Sequence, residues 1–320
     1  MKDFLFIYFS HLPGPEFFFR SIENCGYSCD FVTEKYVHEF VPNNEYKVVI
    51  CYLHEHPYVS HVNRILRHPH LSKTFMVQHD DSDFEHVQVY YSKRPQLVIQ
   101  RELTTESNSP FDAALEPMHF SFPSIYNVEL QKKDIDISFI GRQTNPRRET
   151  FINYIMHLSK NDLRHFNWFI DNGNCRNHGE FVRITNQSKI CLHFPGNSQD
   201  SIRIWELASA NTCLLMPPNN LLSLSDKHMP LKNYVKYNED MHDLKDILTY
   251  YLAENRYEYV ARMLRDEYNE YHTPKRCFEA YYQQILNHAP VEKKPCIPVE
   301  CDDIYRRFWN EEEAYWKDKR

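Results

Sequence analysis

The sequence is short of glycine, of long apolar runs and of positive charge, and each shortage removes a class of explanation. No stretch approaches the roughly 18 to 20 uninterrupted apolar residues that a bilayer-spanning helix requires. The apolar N-terminus, MKDFLFIYFSHLPGPEFFF, has an early Asp3, stops at Ser10 and His11, and lacks a small-residue cleavage site. It reads as a buried first strand rather than an export signal. The formal charge of −7, from 44 acidic and 37 basic residues, argues against nucleic acid as a partner, because phosphate backbones are neutralised by a basic stripe. Nine cysteines stand singly, without the short repeated spacing of a zinc site or a disulfide framework. That pattern fits a reducing compartment and predicts a cytoplasmic protein. Six glycines in 320 residues leave few places where backbone can come close to a ligand. There is no internal repeat and no low-complexity tract.

What is present suffices for folded cores. Hydrophobic residues make up 42 %, aromatics 15 % and charged residues 25 %, the balance of an ordinary globular chain. A length of 320 residues exceeds one typical core of about 100 to 150 and suits two domains. Short apolar runs alternate with helical patterns from the start: DFLFIYF, then EFFFRSIENC closed by Gly26, then YKVVICYL, TFMVQ and LVIQ. Runs that are apolar on both faces and separated by helices predict a parallel sheet covered on both sides. This first α/β domain spans residues 1–130, with a weakly periodic stretch over 104–130 as the crossover.

The pattern restarts with IDISFIG, a helix opened by Pro146, FNWFI, GEFVRITNQS, KICLHF, DSIRIWELASA, TCLLMP and NYVKY. A second α/β domain is expected over 131–286, ending in amphipathic helices with apolar positions at Leu244, Ile247, Leu248, Tyr251 and Leu252. Residues 287–320 read as a proline-marked linker and a last charged helix that packs back on the first domain. The fold class is thus α/β, two doubly wound Rossmann-like domains facing a central cleft, where open sheets of this kind bind ligands.

Several stretches carry candidate chemistry. Gly141 ends a strand and is followed by Arg142 and a helix start, so backbone, helix N–H groups and a guanidinium could share a pyrophosphate. A tight turn with a solvated arginine would look the same. After KICLHF, a small polar loop with Asn197, Ser198 and Ser201 opens a helix bearing Arg203 and Glu206. Three residues apart, these two share a helix face, either to meet phosphate and sugar or as a simple surface ion pair. In TFMVQHDDSD an apolar strand ends in His79, Asp80, Asp81 and Asp83. His79 or Asp81 is the candidate base for an acceptor hydroxyl, against a solvated acidic turn. The histidines of LHEHPYVSHVNRILRHPHL lack the H-E-x-x-H spacing and read as ordinary surface or partly buried side chains rather than zinc ligands. Most of the 47 aromatic residues, 22 Tyr, 21 Phe and 4 Trp, belong in cores.

Taken in order, D-I-x-F-I-G (residues 136–141), an arginine soon after (Arg147 or Arg148), S-K-I-x-L (188–192), R-x-x-E (Arg203, Glu206) and H-T-x-x-R (His272, Thr273, Arg276) resemble the C-terminal half of CgeB-like glycosyltransferases. These belong to the wider GT-B class, whose exostosin-type members have a similar S-K-x-x-L and R-x-x-E region. The likeness covers residues 134–286. It implies a GT-B fold and transfer of a sugar, with a lean towards retention, from a UDP- or GDP-linked donor to a glycan or other hydroxyl acceptor. It also implies that no metal or cofactor is required. By position, Gly141 and Arg142 would lie by the diphosphate, Asn197, Ser198, Ser201 and Arg203 would contact phosphate or sugar, and Glu206 would hold the ribose or donor sugar. The departure is glycine, which GT-B loops carry more freely. Two alternatives follow: a GT-A enzyme holding Mg2+ or Mn2+ through Asp81-Ser82-Asp83, and a non-catalytic carbohydrate-binding or scaffold relative.

Overall fold

The computed structural model describes residues 1–9, 13–53, 58–80, 91–100, 113–117, 132–173, 178–196, 201–218, 231–301, 304 and 307. The chain divides into two compact units, residues 1–119 with 275–308, and residues 120–274 with 309–320.

Unit 1 is a six-stranded parallel sheet in the order β2-β1-β3-β4-β5-β6. Its strands are β1 (Lys2–Phe9), β2 (Cys29–Val32), β3 (Tyr46–Leu53), β4 (Phe75–Asp80), β5 (Leu97–Gln100) and β6 (Ala114–Pro117). Side chains alternate across each strand. Leu5, Ile7, Val49, Cys51 and Met76 pack on one face with Val62, Ile65 and Leu66 of helix α2 (Val59–Leu66). The opposite face is aromatic. Phe6 stacks on Phe19 of helix α1 (Pro13–Asn24) at 4.6 Å between centroids. A late helix, α8 (Pro274–His288 by hydrogen bonding), sets Phe278 against Phe17 and Tyr281 on Phe18, the latter pair 4.9 Å apart. Residues 289–299 then run along the end of α1. The hydroxyl of Tyr27 donates to the Glu292 carbonyl at 2.7 Å, and the Val299 amide donates to Ser21 Oγ at 3.1 Å. The chain therefore returns to the first unit at Lys275, earlier than the expected boundary after residue 286, because α8 buries its aromatic stripe in that unit's core. The last helix expected beyond residue 301 falls largely outside the described residues. Strand β6 lies within the stretch read as a featureless crossover. It is a short edge strand ending in a proline, which an edge tolerates and a periodicity search misses.

Unit 2 is a five-stranded parallel sheet, order β11-β10-β9-β7-β8. It comprises β7 (Ile135–Ile140), β8 (Trp168–Asp171), β9 (Ser188–Leu192), β10 (Cys213–Met216) and β11 (Val235–Lys236). Helices α3 (Pro146–Lys160), α6 (Leu244–Leu252) and α7 (Tyr257–Glu267) cover the face that carries Ile137, Phe139, Ile190 and Leu192. Helices α4 (His178–Gln187) and α5 (Ile202–Ser209) supply Ile184, Ile204 and Trp205, all buried. The motif residues Asp136 and Lys189 form a 2.6 Å ion pair between β7 and β9 at the amino end of the sheet, opposite to the carboxyl ends of its strands. Two parallel-sheet α/β domains with C-terminal helices are the architecture expected from the alternation of apolar runs.

Candidate functional site

Open parallel sheets bind ligands beyond the carboxyl ends of their strands, where the strand order reverses. In unit 2 that point lies between β7 and β9, since the chain passes from β7 to β8 on one side and then to β9 on the other. Gly141 and His193 are the first residues past these two strands.

Local capping builds the edge. Asn145 has extended backbone and accepts the Arg148 amide on its Oδ1 at 2.9 Å, which starts α3 with Pro146 at its first position. Such a cap contributes about 1 kcal/mol. The Asn145 Nδ2 donates to the Gly196 carbonyl at 2.8 Å and so ties the loop after β7 to the loop after β9. On the other side of the sheet, Ser201 caps α5 by accepting the Arg203 amide at 3.2 Å. Each cap thus fixes the first turn of a helix that carries an arginine, and the two helices lie on opposite faces of one sheet.

Arg148 is 8 % exposed, its guanidinium carbon 5.6 Å from the Phe139 ring centroid. Its Nε has no hydrogen-bond partner, and no carboxylate among the described residues pairs with it. A methyl group on Gly141 would stand 2.3 Å from Arg148 Nη2, and one on Gly196 would stand 2.9 Å from Nη1. The space that two of the six glycines leave open is filled by a guanidinium. Burial first and the charge of Arg203 second lower the Arg148 pKa to about 10, so it remains a cation at neutral pH. Arg203 lies 3.6 Å over the ring of Phe181 from α4, and its Nη1 pairs with Glu206 Oε2 at 3.0 Å. Glu206 is itself buried, which separates this pair from an ordinary exposed one. The carboxylate of Asp171, at the end of β8, lies at the same edge and accepts the Gly173 amide at 2.9 Å.

His193, the first residue past β9, feels the charge of both arginines. Its amide donates to the Leu215 carbonyl at 2.8 Å and its carbonyl accepts the Tyr237 hydroxyl at 2.7 Å, which fixes the backbone. The ring is buried and neither nitrogen has a hydrogen-bond partner among the described residues. Burial, then Arg148, then Arg203 hold its pKa down at about 3, so the imidazole is neutral.

The residues singled out in the sequence divide accordingly. Gly141, Ser201, Arg203 and Glu206 come together at this edge. Arg142 is exposed, its stem beside Gly173 after β8, and the inner cation is Arg148 instead. Arg147, one step earlier on α3, is exposed and pairs with Glu239 at 2.6 Å. Asn197 and Ser198 lie outside the described residues, as do Asp81, Ser82, Asp83, His54 and His56. His79 is 1 % exposed, with its ring 4.6 Å from Tyr52 and 5.8 Å from Tyr281. It does not stand open at the sheet edge as expected of a base, because the period of the strand turns it into the aromatic face covered by α8. His272 is likewise enclosed, 5.0 Å from the Trp205 ring, and Arg276 makes an exposed pair with Glu279. Among the described residues, no group of three or more His, Cys, Asp or Glu side chains is placed to hold a metal ion. None of their helices is long and apolar enough to cross a membrane.

Sequence reasoning overlooked His193 and Gly196. A histidine directly after the apolar run KICL, two residues before Pro195-Gly196, was the available signal.

The fold is that of the GT-B glycosyltransferases. HepE from Anabaena, in complex with UDP, superimposes with a TM-score of 0.55 at 8 % identity over 89 % of this chain and 100 % of that one. A glycosyltransferase from Rickettsia africae gives 0.52 at 9 % identity, over 90 % and 99 %. Against the GtfA/B complex this chain spans 58 % of the matched chain, with a TM-score of 0.47 and 9 % identity over 77 % of its own length. At the level of sequence, residues 133–283 match the family described as glycosyl transferase-like, a span that contains every residue of the cationic edge. No curated protein matches the chain.

Proposed function

We propose that the chain is a glycosyltransferase that moves a sugar from a nucleotide sugar to a hydroxyl acceptor, with the donor diphosphate held at the carboxyl edge of unit 2. The carrying observation is the pair of guanidinium groups, Arg148 from α3, buried against Gly141 and Gly196, and Arg203 from α5, paired with the buried Glu206, at a topological switch point. Fixed cations in a water-poor site stabilise charge as it develops on a leaving nucleoside diphosphate, with little reorganisation. Glu206, held by Arg203, is suited to accept hydrogen bonds from ribose or sugar hydroxyls. The cations already supply the positive charge that a divalent ion would bring, so the reading is metal-independent. The finer assignment to CgeB-like or exostosin-like enzymes, a UDP or GDP donor, and an acceptor taken by unit 1 belong to the same proposal.

Titration calorimetry with UDP, GDP and their sugar conjugates, in EDTA and then in Mn2+, tests it. The expected result is binding of one nucleotide class that survives EDTA and weakens about 100-fold in Arg203→Gln, the scale of a lost charge-assisted contact. Binding that appears only with Mn2+ would remove the metal-independent mechanism and favour Asp81-Ser82-Asp83. Silence across the series would remove the donor site and leave the non-catalytic relative.

A further inference from the structure

Lys189, Cys191 and His193 alternate with Ser188, Ile190 and Leu192 along β9 and past its end, so the His193 ring lies on the sheet face covered by α4 and α5. This is the face from which Arg203 and Glu206 approach, while Leu192 and Phe194 turn into the core with Phe151. A histidine in a packed interior normally satisfies at least one ring nitrogen. Here both nitrogens of a buried ring at the end of β9 have no hydrogen-bond partner among the described residues, next to the loop whose Gly196 stands against the Arg148 guanidinium. Some structural reason must favour a polar ring where a leucine would pack without that loss.

Resting on the diphosphate reading above, we propose that His193 is a ligand-binding residue of the unit 2 edge, its imidazole donating a hydrogen bond to a phosphoryl oxygen of the anion that Arg148 and Arg203 hold. A neutral imidazole always carries one N–H donor. It therefore adds a donor without adding a third positive charge to a place where two cations already repel. A lysine or arginine at this position would meet that repulsion, and a leucine would offer nothing to the ligand. The backbone on either side is locked by Leu215 and Tyr237, which fixes where the ring is presented.

The test uses the full chain, with UDP and inorganic pyrophosphate as probes, by calorimetry in EDTA. His193→Leu is expected to weaken both probes by about 10- to 100-fold, the value of a hydrogen bond to a charged group, without a lower melting temperature. His193→Asn, which keeps a neutral donor, is expected to stay within about threefold of the wild type. Wild-type affinity in His193→Leu would overturn the proposal and make the ring a packing group. Should either variant fail to fold, 15N-labelled wild-type protein decides the matter. The imidazole N–H resonance of His193 is expected to move downfield on addition of pyrophosphate, and an unmoved resonance overturns the role. If Arg203→Gln loses both probes while His193→Leu does not, only the histidine assignment falls. If the wild type binds neither probe, the diphosphate site falls and His193 with it.

Discussion

The two sheets of this chain are built alike, parallel, doubly wound and reversed after the first strand pair, yet among the described residues the ends of β4 and of β7 and β9 are packed differently. Unit 1 brings aromatic rings to the end of β4, where His79 is enclosed by Tyr52 and Tyr281. Unit 2 brings the Arg148 guanidinium to the ends of β7 and β9, and its charge, with that of Arg203, helps burial keep His193 neutral. The difference follows the helices that pack on each sheet. In unit 1, α8 lays Phe278, Tyr281 and Tyr282 over the sheet and gains hydrophobic stabilisation. In unit 2, α3 and α5 present arginines from their capped first turns and leave Arg148 buried without a counter-ion among the described residues. A fold alone assigns no chemistry, and here the same topology carries an enclosed histidine at the end of β4 and a buried guanidinium beside the ends of β7 and β9.

The largest effect that would sharpen this contrast is on stability in unit 1. Tyr281→Ala should destabilise the protein by about 3 to 5 kcal/mol, the range for removing a fully buried aromatic ring, read as the urea midpoint. Nucleotide affinity of the remaining folded protein should stay at the wild-type value, and a parallel loss of affinity would break the separation of roles.

Next comes Arg148→Met in unit 2, where the two readouts should move in opposite directions. A buried cation without a partner is costly to the free protein, so the variant should melt a few degrees higher, about 1 kcal/mol in a unit of this size. Nucleoside diphosphate binding should fall about 100-fold. A lower melting temperature with binding intact would make Arg148 structural. Arg147→Met, on the adjacent and exposed residue, should alter stability by less than about 0.5 kcal/mol and leave binding alone.

At neutral pH the contrast is sharpened last by the pH dependence that His193 imposes. Its folded value of about 3 lies below the ordinary value of 6.5. The unfolded chain therefore takes up a proton that the native state refuses. Stability from this group is full above pH 6.5 and declines as the pH falls towards 3, by about 1.4 kcal/mol per unit. His193→Asn should flatten the stability profile over pH 6.5 to 4.5 by that slope, measured by denaturant titration at each pH. An unchanged slope would mean that His193 titrates in the folded protein as it does in the unfolded chain.

The sequence made much of this legible, unevenly. The buried strands announced themselves as apolar runs between helical periods, and Arg203 with Glu206 could be paired because three residues along a helix return to one face. The edge strand β6 could not be read, since four residues ending in Pro117 carry no distinctive period. His79 was misplaced for a different reason. Its position at the end of an apolar strand was right, but the helix that covers it comes from residues 274–288, far along the chain.

By itself, then, the sequence determined the alternating α/β plan and the strand ends, because hydrophobic periodicity and helix caps are local properties. Tertiary structure alone decided which arginine of the Arg147-Arg148 pair is buried at the ends of β7 and β9. Consecutive helical residues point about 100° apart, so one step turns a solvent-exposed partner of Glu239 into a guanidinium buried against Gly141 and Gly196. The same holds for His193, whose neutrality follows from two arginines that only the packing of α3 and α5 on one sheet brings near it.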